Sequence, residues 1–433
     1  MTNSAAHQMR HPEPTAALGG DGGGPTASEQ AADAAMSELD LPYRAGEPAF
    51  PPGTPLTVHV HDSLAAAETV WRELETRAVF TPYQRFDWIA PYHTARGPQG
   101  RLAIIVIEAA GRPVALLPLE IGRRVGLKRA TIIGCEIGNG DFLMLDPAAA
   151  PLLARDTLLG LLREAAQQVG GIDLISFFDQ PAEWGGTANR LLQFAHQPGP
   201  NNFYFGARGE KSFDRFDDKR LGNLRRRQRK LADATGPVVL RPATSPEEID
   251  SIHGAFLEYR AARFAQQGIA NIFGEPHFIK FFREAAIAGL SQERPALIFH
   301  GLYAGERIVG AAIGSFAGTH YSQYINATSG DPEIAKFRLI GIMMHELFTD
   351  CLHRGAQTID MGLGDFDYKT DWTQPMPVYD GMLPLTAAGQ LGGSALLAVR
   401  RAKRAIKQHD RLWALAKALR TRLAGAPSGP QQG

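Results

Sequence analysis

Apolar and polar positions alternate with a period of two over residues 57–61. The spacing then lengthens to a helical one over 63–77, with Leu64, Val70 and Leu74 on one side. Residues 82–92 carry Phe86, Trp88, Ile89 and Tyr92 and predict a second amphipathic stretch. Two apolar runs of strand length, 102–108 and 113–121, flank Ala110-Gly111-Arg112, a hairpin signal. Further strands are predicted over 129–133 and 142–145, a helix over 152–169 closed by Gly170-Gly171, and a buried strand over 173–178.

The same grammar recurs downstream. A strand is predicted over 238–241, a helix over 246–263 with Ser245 as N-cap and Glu248 three residues on, and a helix over 275–288. Strands over 296–303 and 307–316 enclose Ala304-Gly305-Glu306. A strand over 319–327, a helix over 337–354 ending at Gly355 and a strand over 358–361 complete the series. Two halves with one element order predict a duplicated mixed α/β fold.

The chain's 433 residues are enough for two cores. The pattern divides it into a disordered leader (1–54), an N-terminal domain (55–205), a C-terminal domain (206–390) and a basic amphipathic helix with tail (391–433). The leader is rich in Ala, Gly and Pro and has no apolar core of a signal peptide, and no apolar run reaches spanning length. Two distant cysteines, Cys135 and Cys351, suit a reducing compartment, so a cytoplasmic protein without a metal site is expected. Forty-five basic and forty-five acidic residues leave no global field for DNA.

Candidate chemistry gathers in the second half. Arg338-Leu339-Ile340-Gly341-Ile342-Met343 follows a strand and a turn and opens a long helix. Free amides at a helix start, a glycine that admits close approach and an arginine fork suit a diphosphate. This stretch resembles the acyl-CoA loop of GNAT (GCN5-related N-acetyltransferase) enzymes, with Met343 at the final small position. Downstream, Asp360, Gly364-Asp365, Tyr368-Lys369 and Trp372 follow a strand within one short segment. They are similar to the signature of the BioF2-like acetyltransferase family, which includes CelD-type cellulose-biosynthesis proteins. Arg263 with Gly268 and Phe273, and the basic run 221–230, extend the likeness, which covers roughly residues 56 to 423.

The resemblance implies a tandem GNAT-like acyltransferase using acetyl-CoA or a longer acyl-CoA on a small amine or sugar, with a link to polysaccharide biosynthesis. Backbone amides near Tyr324, Ile325 and Asn326 are then expected to bind the developing oxyanion. Arg338, Leu339, Ile340 and Gly341 would hold the donor. Tyr368 is the candidate general acid, and Asp365 would accept a proton from the acceptor amine or orient it. Lys369 would bind phosphate or neutralise Asp365. Asp141 and Arg263 are the candidate acceptor contacts. A Fem-type transferase drawing on charged tRNA, favoured by the basic run 225–230, is the alternative, as is a non-catalytic accessory protein.

In the tail, Leu412, Leu415, Ala416, Leu419 and Leu423 share a helical face among basic residues, which suits either an anionic membrane or packing on the second domain. Deleting the residues after Val399 and measuring liposome co-sedimentation separates the two. Loss of sedimentation supports membrane contact, and unchanged sedimentation rules it out.

Overall fold

The computed structural model describes residues 50–209, 218–268 and 270–409. The expected leader up to residue 49, and the stripe from Leu412 to Leu423, lie outside the described residues.

The first half runs β1 (Leu56–His61), α1 (Leu64–Glu75), α2 (Phe86–Arg96), β2 (Arg101–Ala109), β3 (Arg112–Arg124), β4 (Leu127–Ile132), β5 (Met144–Leu145), α3 (Arg155–Gln168) and β6 (Leu174–Pro181). A small ribbon, β7 (Glu183–Trp184) with β8 (Thr187–Ala188), precedes β9 (His196–Ala207). Local chemistry sets the boundaries. The Ser63 hydroxyl accepts from the Ala66 amide at the start of α1. Ala110 and Gly111, both at positive φ, turn β2 into β3.

The second half runs α4 (Asp218–Thr235), β10 (Val238–Pro242), α5 (Pro246–Gln267), α6 (Pro276–Gly289), β11 (Ile298–Ala304), β12 (Arg307–Ala317) and β13 (His320–Thr328). A single turn, α7 (Pro332–Ala335), then leads to α8 (Leu339–His353), β14 (Thr358–Leu363), β15 (Gln374–Pro384) and α9 (Ala387–Gln408). Ser245 caps α5 as its spacing predicts, and Gly268 ends that helix in the left-handed region. The predicted helices and hairpins are present, with α5 four residues longer than expected and the strand expected over 142–145 reduced to Met144–Leu145.

The main sheet has the order β1-β2-β3-β4-β6-β15-β9-β14-β13-β12-β11-β10. Each flank is an antiparallel meander that ends in a parallel pair, β4 with β6 and β13 with β14. Between them, β15 of the second half pairs with β6 of the first, and β9 of the first pairs with β14 of the second. The halves are therefore welded by exchanged central strands.

On one face a single core crosses the join. Trp88 and Tyr92 of α2 meet Phe281 of α6 edge-on, each with ring centroids 5.3 Å apart. On the other face, α3 covers the first half through Leu158 and Leu162, and α8 covers the second through Met343 and Leu347.

Helix α9 closes over the central strands. Gly389 lies so near the Asp173 carbonyl that a Cβ would sit 1.8 Å from its oxygen. Arg400 forks onto Asp380, with one bond of 2.6 Å, and Asp380 is fully buried. Leu391, Val399 and Ile406 remain exposed on the outer side. No helix among the described residues is long and apolar enough to cross a membrane.

A truncation meant to test the tail alone must therefore begin after residue 409, so that the Arg400–Asp380 pair survives. Replacing Arg400 with Met leaves a buried carboxylate unpaired. Chemical denaturation should show a loss of about 3–5 kcal/mol, typical of a broken buried pair.

Candidate active site

Strands β13 and β14 run parallel for three residue pairs only, His320–Thr358, Tyr321–Ile359 and Ser322–Asp360, and then part. Both strands are irregular at the fork. In β13, Gln323 and Tyr324 together face Gly314 of β12, a bulge that twists the strand away from β14. In β14 the register with β9 shifts between Asp360 and Leu363, with Gly362 at φ +64°. From Gln323 onward, the β13 edge that faces the gap has no strand partner among the described residues.

A cavity of about 240 Å³ opens in this fork. Its floor is Gln323, Tyr324, Ile325 and Asn326, with Met361 and Leu363 opposite. Tyr368 and Lys369 close it from the loop after β14, and Arg260, Arg263 and Phe273 from the end of α5 and the segment after it. The first half contributes Asn139. A Cβ on Gly362 would lie 2.7 Å from Asn139 Nδ2, so only glycine fits where that side chain enters the fork.

Hydrogen bonds fix these groups. Asn326 Nδ2 donates to the Tyr368 hydroxyl at 3.3 Å. Burial raises the Tyr368 pKa above its usual value, which keeps the phenol protonated. Lys369 is buried, and its Nζ donates to the carbonyls of Leu363 (2.8 Å) and Gly362 (3.2 Å). Burial brings its pKa down to about 8, against the opposing pull of Asp360 and Asp365. Arg260 Nη1 donates to the Asn326 carbonyl at 3.3 Å, and its Nε is buried without a partner among the described residues. The Tyr324 ring lies against Trp88 and Tyr83 of the first half.

Beneath the cavity, Asp360 ties the strands together. It accepts from Ser322 Oγ (2.8 Å) and from the Gly362 amide (2.7 Å), and His320 Nε2 lies 2.8 Å from it. Ser322 Oγ is in turn hydrogen-bonded to the Tyr83 hydroxyl, which accepts from Asn139 Nδ2 at 3.0 Å.

On the opposite side of β13, α8 begins at Arg338. This residue is exposed and sits in the left-handed region at φ +56°. The Gly341 amide folds back on the Arg338 carbonyl, and the amides of Leu339 and Ile340 have no acceptor among the described residues. Gly341 faces Leu224 of α4, where a Cβ would come within 3.1 Å. The basic helix α4 thus lies beside this helix start, with Leu224 and Leu231 buried and Arg225, Arg226, Arg229 and Lys230 exposed.

Residues 218–370 match the acetyltransferase (GNAT) domain family. That segment contains the fork, the start of α8 and the loop up to Lys369. No curated protein matches the chain in sequence. Among solved structures, FemX is 12% identical, with a TM-score of 0.52 over 75% of this chain and 97% of that one. A conserved protein of unknown function from Bacteroides thetaiotaomicron is 11% identical, covering 76% of this chain and all of the other, with a TM-score of 0.49. A tandem GNAT protein from the clavulanic acid biosynthesis pathway is 14% identical, covering 76% and 98%, with a TM-score of 0.42. The chain is thus a mixed α/β protein with a GNAT-type fold, and its own strand order repeats that unit.

The expected site residues divide into three groups. Tyr324, Ile325, Asn326, Tyr368, Lys369 and Arg263 all line the fork cavity. Arg338, Leu339, Ile340 and Gly341 form the start of α8 as expected. Two others lie outside the lining. Asp365 is exposed and outside the lining, accepting from Asn202 Nδ2 and the Tyr204 hydroxyl, both at 3.0 Å. Asp141 is buried in its own half, where its carboxylate accepts from the Phe178 amide at 2.7 Å instead of facing an acceptor. The same loop reaches the cavity through Asn139, two residues earlier.

Sequence reasoning missed Arg260, Asn139 and Tyr83. Arg260 had a readable signal, since it stands three residues before Arg263 on one helix face. Tyr83 and Asn139 had none, because the fork residues they reach, Ser322 and Gly362, lie in the other half.

The bulge in β13 depends on Gly314. A Cβ there would lie 2.1 Å from the hydroxyl of Tyr321, which is fully buried and bonded to Gln323 Oε1. Gly314→Ala should lower the urea midpoint by an amount equivalent to about 1–3 kcal/mol, the usual cost of overpacking.

Proposed function

We propose that the chain transfers an acyl group from acyl-CoA to the amine of a small acceptor. One observation carries this reading: the fork between β13 and β14 opens beside an arginine-flanked helix start and encloses a phenol and a buried amine of lowered pKa. A diphosphate fits the free amides of Leu339 and Ile340 beside Arg338. From there a thioester arm would follow the unpaired edge of β13 to reach Tyr368 in the cavity.

In the transfer, the acceptor nitrogen bonds to the thioester carbonyl carbon as the carbon–sulfur bond breaks. The carbonyl oxygen gains charge along the free amide edge at Tyr324–Asn326. Tyr368, held protonated by burial and oriented by Asn326, gives its proton to the departing sulfur. Lys369 takes the proton from the acceptor nitrogen. As a neutral amine it keeps two N–H bonds for the carbonyls of Gly362 and Leu363 and has a lone pair left for the cavity. No carboxylate lines the cavity among the described residues, and this favours Lys369 over Asp365 as the base.

A second reading, a transferase fed by charged tRNA, is favoured by the exposed basic face of α4. Calorimetric titration with acetyl-CoA, longer acyl-CoAs and charged tRNA decides between them. Binding of tRNA without acyl-CoA would overturn the proposal, and binding of no donor would leave a non-catalytic accessory role.

The lowered pKa of Lys369 sets the pH dependence. A base works in its neutral form, so kcat/KM should rise with pH and level off above about 8. Lys369→Met should remove that rise and cost about 10²–10⁴-fold, and Tyr368→Phe should lower kcat by a similar factor, with acetyl-CoA affinity retained in both. A flat wild-type profile between pH 6 and 9 would exclude Lys369 as the base.

A further inference from the structure

The cavity has a charge that donor chemistry leaves unexplained. Two guanidinium groups, Arg260 and Arg263, project into it from adjacent turns of α5, and Lys369 adds a third basic group. None of the described lining residues is acidic. Arg263 is exposed at the mouth of the cavity and has no ion pair or hydrogen bond among the described residues, and the Nε of Arg260 is buried and unpartnered. Burial, reinforced by the neighbouring Arg263, lowers the Arg260 pKa to about 10, so it remains charged at neutral pH. Phe264 and Phe273 pack against its guanidinium and hold it in place. Two neighbouring guanidinium groups with no acidic residue in the described lining suit an anion.

That anion is not the donor's diphosphate. Arg260 and Arg263 belong to α5, which packs on the face of the sheet formed by Ala311, Ile313 and Ile325. The start of α8 lies on the opposite face, with Val309, Ala312 and Tyr321. One oxyanion site therefore stands on each side of β13, with the free edge of the strand between them.

Resting on the acyltransferase reading, we propose that the acceptor is an anionic amine. Its carboxylate or phosphate is held by the Arg260–Arg263 pair while its amino group faces Lys369 and the fork. The pair selects the acceptor and takes no part in bond making. Planar guanidinium forks suit either oxyanion, and Phe273 offers an apolar wall to the carbon skeleton between the two charges.

The test is calorimetric titration of the full chain with matched probes: O-phosphoethanolamine against ethanolamine, and glucosamine 6-phosphate against glucosamine. At least one anionic member should bind about tenfold or more tightly than its neutral partner, as charge-assisted bonds to a paired fork predict. That preference should vanish in Arg263→Gln and Arg260→Gln, with acetyl-CoA binding unchanged. Anionic members binding no more tightly than neutral ones, absence of binding included, overturn the proposal. So does an equal loss of acetyl-CoA affinity in the variants, since the arginines would then serve the donor. Acetyl-CoA titrated alone reports on the underlying function. Failure there with anion discrimination retained would remove the acyltransferase and leave the anion site standing.

Discussion

A single buried carboxylate pins the fork on which the rest of the site depends. Asp360 is the last residue of β14 paired with β13, and it accepts from Ser322, the last paired residue of β13. It also holds the Gly362 amide, where β14 turns away, and contacts His320 one turn of the pleat earlier. A carboxylate with no exposure persists only when its lone pairs are met, and here both strands supply the donors. The strands cannot zip further without breaking those bonds, nor separate further without stranding the charge. The gap stays open at one length, and its free amides stay unpaired.

The second half does not hold the fork alone. Tyr83 reaches Ser322 from the first half, and Asn139 reaches both Tyr83 and the space beside Gly362. Trp88 of the first half backs the Tyr324 ring. Exchange of β9 and β15 at the centre of the sheet makes this geometry rigid, because each half supplies a strand to the other's interior edge. Duplication thus gives the site a wall and a brace that a single unit would lack, although the first half presents no arginine-flanked helix start of its own.

The electrostatics follow from the layering. A sheet separates two faces, and each carries one cationic feature beside the fork: the start of α8 with Arg338 and α4 on one side, and Arg260 with Arg263 on the other. Acids close to the cavity are occupied elsewhere. Asp365 is engaged with Asn202 and Tyr204, and Asp360 lies beneath the floor. The lining is left basic, with one amine whose proton affinity burial has lowered into the working range of pH.

The sequence by itself determined what depends on neighbours along the chain. Helices with a 3.6-residue stripe, hairpins turned by Ala110-Gly111 and Ala304-Gly305, and the Ser245 cap were legible because their interactions span a few residues. The positions of Tyr324–Asn326 on a strand, of Tyr368 and Lys369 in the loop after one and of the start of α8 were legible too, whereas the roles given to them came from the family resemblance. Strands β9 and β15 were not legible, since Pro198, Pro200, Pro375 and Pro377 give them the composition of loops and their pairing partners lie more than a hundred residues away. Only the tertiary structure decided which polar groups face the cavity. Asp141 and Asp365 had the right chemistry at the right distance along the chain, but hydrogen bonds from residues distant in sequence, Phe178 for the one and Asn202 and Tyr204 for the other, hold them elsewhere, while Asn139 and Tyr83 were brought in by packing between halves and Arg260 by packing on Phe264 and Phe273 within the second half. Burial, strand exchange and the direction of a side chain are properties of non-local contacts, and no local pattern encodes them.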